Sequence, residues 1–369
     1  MRAWFAGPIA YSSFDLKKFA SYFLLFSLLG RGLTADEYRA WNLAGEVVST
    51  FEPQVVERTS KTMVEAAQAW LESLSAEEKS QLLLPLNDGE RKKWTNLPTR
   101  PGDGGLRLGD LDKDSLERAC IFLATVLSAE GYNKVTEVML ADDTLIKSEK
   151  QAERRGGFGT ANFWLVIFGE PSLSEPWAVQ LDGHHIAFNL TILGDRVTMS
   201  PSFIGTQPHK ITLKGKEIVP MGDETAAAFE FMASLNEEQR SKAIQGDKRR
   251  QLELGPGEDG VKPKARGLAC EDLNQKQKGA LMKLISLWID DLPKSSFERR
   301  REEIAAQLDE TFFLWEGPHQ PGSDASFHIF GPSVIIEYAG QNLGGDPLNH
   351  LHSIYRDPSN EYGRRWVGN

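Results

Sequence analysis

Thiols are scarce in this sequence. Its two cysteines, Cys120 and Cys270, are too few for a four-thiolate zinc site or a disulfide framework. An excess of positive charge is also missing. Its 42 Lys and Arg are outnumbered by 52 Asp and Glu, giving a net charge of −10, so a general nucleic-acid binder, which must offset phosphate charge, is excluded. No uninterrupted apolar run approaches the roughly 20 residues that a spanning helix needs, so no stable membrane span is expected. No Walker phosphate loop, HExxH helix, EF-hand loop or GxSxG elbow occurs. The glycine-rich GGFGT at Gly156 leads into strand-like residues, which makes it a poor nucleotide loop.

What remains is a chain of ordinary globular composition. The 369 residues suit one large domain or two ordinary ones, and 40% hydrophobic with 25% charged content is enough to build a core. Residues 1–35 read as a leader: Lys17 and Lys18 precede the apolar FASYFLLFSLLG, and small residues lie before Asp36. Export to the periplasm or the extracellular space is expected if that segment is a signal. A buried first helix, in a cytoplasmic protein, is the alternative reading.

The remaining 36–369 is expected to form one α+β domain. Residues 36–150 read as helical, with Asp36 capping a helix that begins EYRAWNLAGEVV and a longer helix from Lys61 to Leu74. Residues 156–205 change texture. Aromatic and β-branched residues punctuated by Gly, Pro and Asp read as strands at about 160–168, 176–182, 184–193 and 196–199. Residues 222–310 return to helix, and strands close the chain over 311–357. This order predicts a mainly antiparallel sheet flanked by helical hairpins, with the last strands completing the sheet begun earlier. One helix-turn-helix piece recurs: AAQAWLESLSAEEKSQLLL from Ala66 matches AAFEFMASLNEEQRSKAI from Ala227. Duplication and convergence both account for it. Between 87 and 110 a loop rich in Gly and Pro carries Arg91, Trp94, Arg100 and Arg107, which suits either a pocket lid or a solvated surface loop.

The chemistry concentrates in two stretches. In HLHSIYR, strand alternation places His350, His352 and Arg356 on one face and Tyr355 on the other. A His-x-His pair on one face is spaced to chelate one ion. Glu337 on the preceding strand is a candidate ligand or base, and His184 or His185 in LDGHHIAFNL a third nitrogen. Alternation favours His185 as the ligand and leaves His184 behind it. Such a donor set suits a divalent zinc, iron, manganese or copper ion. Arg356 suits an anionic group of a substrate. Tyr355 is a further catalytic candidate, and Trp177, Trp94 and Arg100 are candidates for binding substrate. His328 is a peripheral candidate, whereas His209 and His319 read as surface or core residues. The alternative for the whole set is a group of structural histidines, with Arg356 paired to Asp357 or Glu361.

With these residues in view, the chain resembles the domain-of-unknown-function 3500 family. The resemblance rests on Trp177 with Gly183-His184-His185, on Ser200-Pro201-Ser202-Phe203-Ile204-Gly205, and on the terminal motif from His350 to Gly363. It spans about Ala66 to Gly363 and departs at Glu361, where members often carry Asp. It implies no settled activity, and export is a feature that many members suggest. The expectation is an exported, metal-dependent enzyme, hydrolytic or oxidative, acting on a small organic or carbohydrate-derived substrate. A non-catalytic ligand-binding module and a metal-free His/Glu hydrolase or lyase are the alternatives.

Overall fold

The computed structural model describes residues 38–41, 47–51, 58–99, 104–146, 157–213 and 216–367. The fold is α+β. Twelve strands join in one mostly antiparallel sheet, with nine helices among the described residues. No described helix is long and apolar enough to cross a membrane.

Two stretches of chain follow the same order of elements. The first opens with helices α1 (Ser60–Ser73) and α2 (Ala76–Leu82) and the short strand β3 (Leu83–Leu84). After a long loop come β4 (Leu106–Arg107), α3 (Lys113–Val126) and α4 (Ala129–Asp143). A four-strand meander follows: β5 (Phe163–Phe168), β6 (Trp177–Gly183), β7 (Ile186–Leu193) and β8 (Arg196–Thr206). The second stretch repeats this with α5 (Gly222–Ser234), α6 (Glu237–Ala243), β11 (Ile244–Gly246), β12 (Leu268–Ala269), α7 (Gln275–Ile289) and α8 (Lys294–Ala306). Its meander is β13 (Phe312–Glu316), β14 (Ser326–Phe330), β15 (Ile335–Gly340) and β16 (Leu351–Arg356). A small hairpin, β9 (Ile211–Leu213) and β10 (Lys216–Ile218), lies between the two. The two meanders meet where β16 pairs antiparallel with β8, so the strand order reads nearly the same from either edge. The helix-turn-helix likeness visible in the sequence is therefore one part of a likeness that spans both halves.

The helical hairpins form for the same local reason in each half. Ser75 accepts from the Glu78 amide while Glu78 accepts from the Ser75 amide, and Asn236 and Gln239 repeat this capping box. Each such cap stabilises its helix by about 1 kcal/mol. Gln239 also bonds to Gln277, the capping glutamine of α7, which ties the two hairpins together.

The helices cover one face of the sheet. Trp177 stacks there on Phe122, which stacks on Trp70. Tyr355 lies on the same side, its hydroxyl accepting from Arg300 Nε at 2.7 Å. The opposite face is covered by backbone from the two long loops. Gln180 donates to the Arg91 carbonyl, and Glu337 accepts from the amides of Glu253 and Leu254.

Three expectations about elements are corrected. Residues 38–51 contain a two-stranded ribbon, β1 (Tyr38–Trp41) and β2 (Val47–Phe51), where a helix was expected; the β-branched Val47, Val48 and Thr50 favour strand over helix. The expected strand at 184–193 begins only at Ile186, because His184 and His185 form the turn between β6 and β7. The expected strand at 196–199 runs on to Thr206. The leader, residues 1–35, lies outside the described residues.

Candidate metal centre

The β6–β7 turn and the start of β16 meet across β8. His352 is paired with Gly205 in the register, and the Gly205 amide donates to the His185 carbonyl at 2.7 Å. His185 adopts a left-handed conformation with φ of 69°. That region is sparsely used by residues other than glycine, and such strain is concentrated at functional sites. It also swings His185 out of strand alternation, so both rings of the pair lie together, with centroids 3.7 Å apart.

Three imidazole nitrogens converge. His185 Nε2 stands 2.9 Å from His350 Nε2, which stands 2.9 Å from His352 Nε2. His350 Nδ1 bonds to the Leu343 carbonyl, a contact only an N–H can make, so neutral His350 carries its lone pair on Nε2. Two donors cannot share that lone pair well, and an unprotonated neighbour would set lone pair against lone pair. Burial and the neighbouring histidines hold His185 and His352 well below the ordinary imidazole range, and burial lowers His350. All three rings are therefore neutral and able to ligate at neutral pH. Two nitrogens bound at about 2.05 Å and about 90° to one ion would stand about 2.9 Å apart. All three nitrogens lie within 4.8 Å of one another, so the residues fit one ion.

Packing holds the rings in place. Phe203 meets His352 edge to face at 5.0 Å, and Phe158 lies 4.9 Å from His184. A side chain at Gly205 has no room: its Cβ would lie 3.0 Å from both His185 and His352 Cδ2 and 2.7 Å from the Leu351 carbonyl. The Asn96 carbonyl, from the 87–110 loop, accepts from the His185 amide.

His184 takes a different part. Its Nδ1 lies 2.5 Å from Asp142 Oδ1, at the end of α4. Donor atoms of Asp142, His184 and His185 also lie within 4.8 Å of one another. Within that group the Asp142 carboxylate and His184 Nδ1 are already in contact with each other. Asp142–His184 reads as a hydrogen-bonded pair beside the three-nitrogen site. With Nδ1–H given to Asp142, the lone pair of a neutral His184 lies on Nε2.

Several expected site residues are placed elsewhere. Glu337 shares the face of His352 but pairs with Ile354, one step along the strand. Its oxygens are occupied by the amides of Glu253 and Leu254 and by His328 Nδ1, so it neither ligates nor serves as a free base. Arg356 is fully buried, bound to Glu361, Asp259 and the carbonyls of Leu254 and Gly255, with no arm free for a substrate. Tyr355 and Trp177 face the helices, on the wrong side of the sheet. Trp94 is buried on the site's side, its Nε1 donating to the Tyr362 hydroxyl, and it walls the core beneath the site with Phe203 and Ile354. Arg100 lies outside the described residues.

Sequence reading passed over Asp142 and the carbonyls of Leu343 and Asn96. Asp142 sits in an ordinary acidic helix end, and carbonyl positions carry no residue signal. Gly205 did leave a trace, as the last residue of the Ser200–Gly205 motif.

No curated protein matches this chain, and no solved structure matches it. The sequence profile described as "Protein of unknown function (DUF3500)" matches residues 57–364. That span covers most of the chain, including both stretches that meet at the three histidines, so the chain belongs to the DUF3500 family.

Proposed function

We propose that His185, His350 and His352 hold one divalent transition-metal ion, zinc, iron, manganese or copper, in a metal-dependent enzyme acting on a small organic or carbohydrate-derived molecule. The observation that carries the reading is the pair of 2.9 Å Nε2 separations around a His350 whose other nitrogen is committed to Leu343. Three protein nitrogens leave coordination positions for solvent or substrate, as in catalytic sites, whereas structural sites close with four protein ligands. The ion supplies Lewis acidity for hydrolysis or, if redox-active, electrons for oxidation.

The chain's own residues divide the remaining work. Leu343 fixes the tautomer and plane of His350. Phe203 and Phe158 brace the rings and exclude water from their flanks. Asp142 orients His184, whose Nε2 is a candidate to accept a proton from a reacting group. Arg356 and Glu337 stabilise the cover loop and take no part in the reaction. Export remains part of the proposal through the leader at 1–35, and a mature N-terminus near residue 36 in protein recovered outside the cytoplasm would support it.

Metal analysis after reconstitution with each ion tests the centre. About one ion per chain is expected, falling to background in His350→Ala. A wild-type protein that retains no ion beyond what His350→Ala retains would sink the metal reading.

A further inference from the structure

Gln207 stands beside the three histidines and has no task in the fold. Along β8, Phe203 pairs with Ile354, Gly205 with His352 and Thr206 with Leu351. The next residue, Gln207, therefore comes level with His350, and alternation gives it the face of Phe203 and Gly205. A second contact places it on that side independently. A Cβ at Gly344 would overlap Gln207 Nε2, and the neighbouring Leu343 carbonyl holds His350 Nδ1. The Gln207 amide thus fills the corner between the end of β8 and the loop that fixes His350. Gly344, with φ of 97°, is the residue that leaves it room.

The amide is placed but not used. Gln180, Gln239 and Gln277 each bond to a backbone carbonyl and to another side-chain amide. Among the described residues the Gln207 carboxamide has no hydrogen-bond partner. Gln207 is only half-buried, and its polar atoms are not sealed from solvent, so an arriving molecule can reach them.

Charge decides what such an amide would meet. Three neutral imidazoles leave a divalent ion its full charge, and both carboxylates considered for the site are engaged elsewhere, Asp142 with His184 and Glu337 with the cover loop. An uncompensated dication favours an anionic ligand. The two flanks of Gly205 along β8 then set its direction. Phe203, packed on His352 and joined to Ile354 in the core, makes one flank apolar. Gln207 makes the other polar, and its N–H donates without adding charge. We propose that the site takes its substrate by a carboxylate, one oxygen on the ion and the other accepting from Gln207 Nε2–H. This names the substrate class of the function proposed above and rests on the metal reading. Gln207 takes the anion-orienting part that the sequence suggested for Arg356.

The test loads full-length, chelator-treated protein with cobalt(II) and follows the visible absorption of the ion. Acetate and azide are titrated separately. Acetate carries the two oxygens required, whereas linear azide occupies an ion through one end. Acetate is expected to change the spectrum with a dissociation constant on the order of 1 mM. Gln207→Leu and Gln207→Met remove the amide and keep most of its volume, so either serves if the other fails to fold. Each should weaken acetate about tenfold, the worth of one hydrogen bond to a charged group, and leave azide and cobalt affinity within about twofold. A cobalt spectrum indifferent to acetate overturns the proposal and leaves the metal reading standing. Equal weakening of acetate and azide, or undiminished acetate binding in the variants, also overturns it. Failure of cobalt to bind at all overturns the metal reading, and this proposal with it.

Discussion

At the scale of the residue, Gly205 and Glu337 separate two kinds of importance. Both lie on the site's face of the sheet, on strands adjoining β16. Gly205 is where the backbone of β8 passes under two of the three rings, and a methyl group there would press on His185 and His352 together. Gly205→Ala is expected to cost about 1–3 kcal/mol of stability and to lower the ion content as well, because both rings must move. Glu337 holds two amides of the cover loop and His328. Glu337→Ala is expected to cost about 2 kcal/mol or more, by stranding those amides, with the ion content unchanged. Denaturant melts read alongside metal analysis check both. Loss of the ion in Glu337→Ala would return Glu337 to the site.

At the scale of the element, α4 ends in an unfavourable way. Asp142 and Asp143 place two carboxylates at a helix C-terminus, where the macrodipole is already negative. Asp142 bonds to His184 and to the Gly159 amide, and Asp143 bonds to the Thr160 amide. Burial pushes the Asp143 carboxyl up to about 7, against an ordinary 3.8, with Thr160 opposing the shift and Asp142 adding to it. The folded state then holds this proton more tightly than the unfolded chain. Its contribution to stability is complete below the ordinary value and is lost as pH rises through the folded one. Asp143→Asn keeps an oxygen for Thr160 and removes the charge. It should therefore raise the melting temperature more at about pH 8 than at about pH 4. A thermal melt series across that range checks it, and an equal shift at both ends would show that Asp143 does not titrate in this window.

Elements also explain what could be read in the sequence. The face assignments in β16 followed from alternation and stand: His350 and His352 on one side, Tyr355 on the other. The meeting of the two histidine stretches followed from expecting one sheet, and β8 pairs with β16. Alternation fails in a turn, however, and His184-His185 carries none of the usual turn residues, so the turn was hidden. The roles expected of Glu337 and Arg356 failed for another reason. Alternation reports which face a side chain takes, but the partners on that face are backbone groups of a distant loop, and backbone groups leave no pattern.

At the scale of the whole molecule, the three histidines proposed as ligands straddle the seam between the two halves. His185 belongs to the first and His350 and His352 to the second, and the sheet passes from one half to the other where β8 and β16 pair. An ion bound there is bound to the folded state alone. At a free concentration about 100 times its dissociation constant it would add about 2.7 kcal/mol. For a chain of this size that is on the order of 5 °C in melting temperature. Calorimetry with and without chelator checks this, and an identical melt under both conditions would mean that the ion does not report on the seam.

The seam also has a meaning in time. A ribosome releases β8 long before it makes β16, the last strand of the sheet. Until then, the 11 residues of β8 form one open edge of the first meander, the kind of edge that recruits stray strands. Throughout that interval His185 has no companions from β16 and no means of holding an ion. On the proposed reading, an ion could be held only after β16 has paired with β8 and closed that edge.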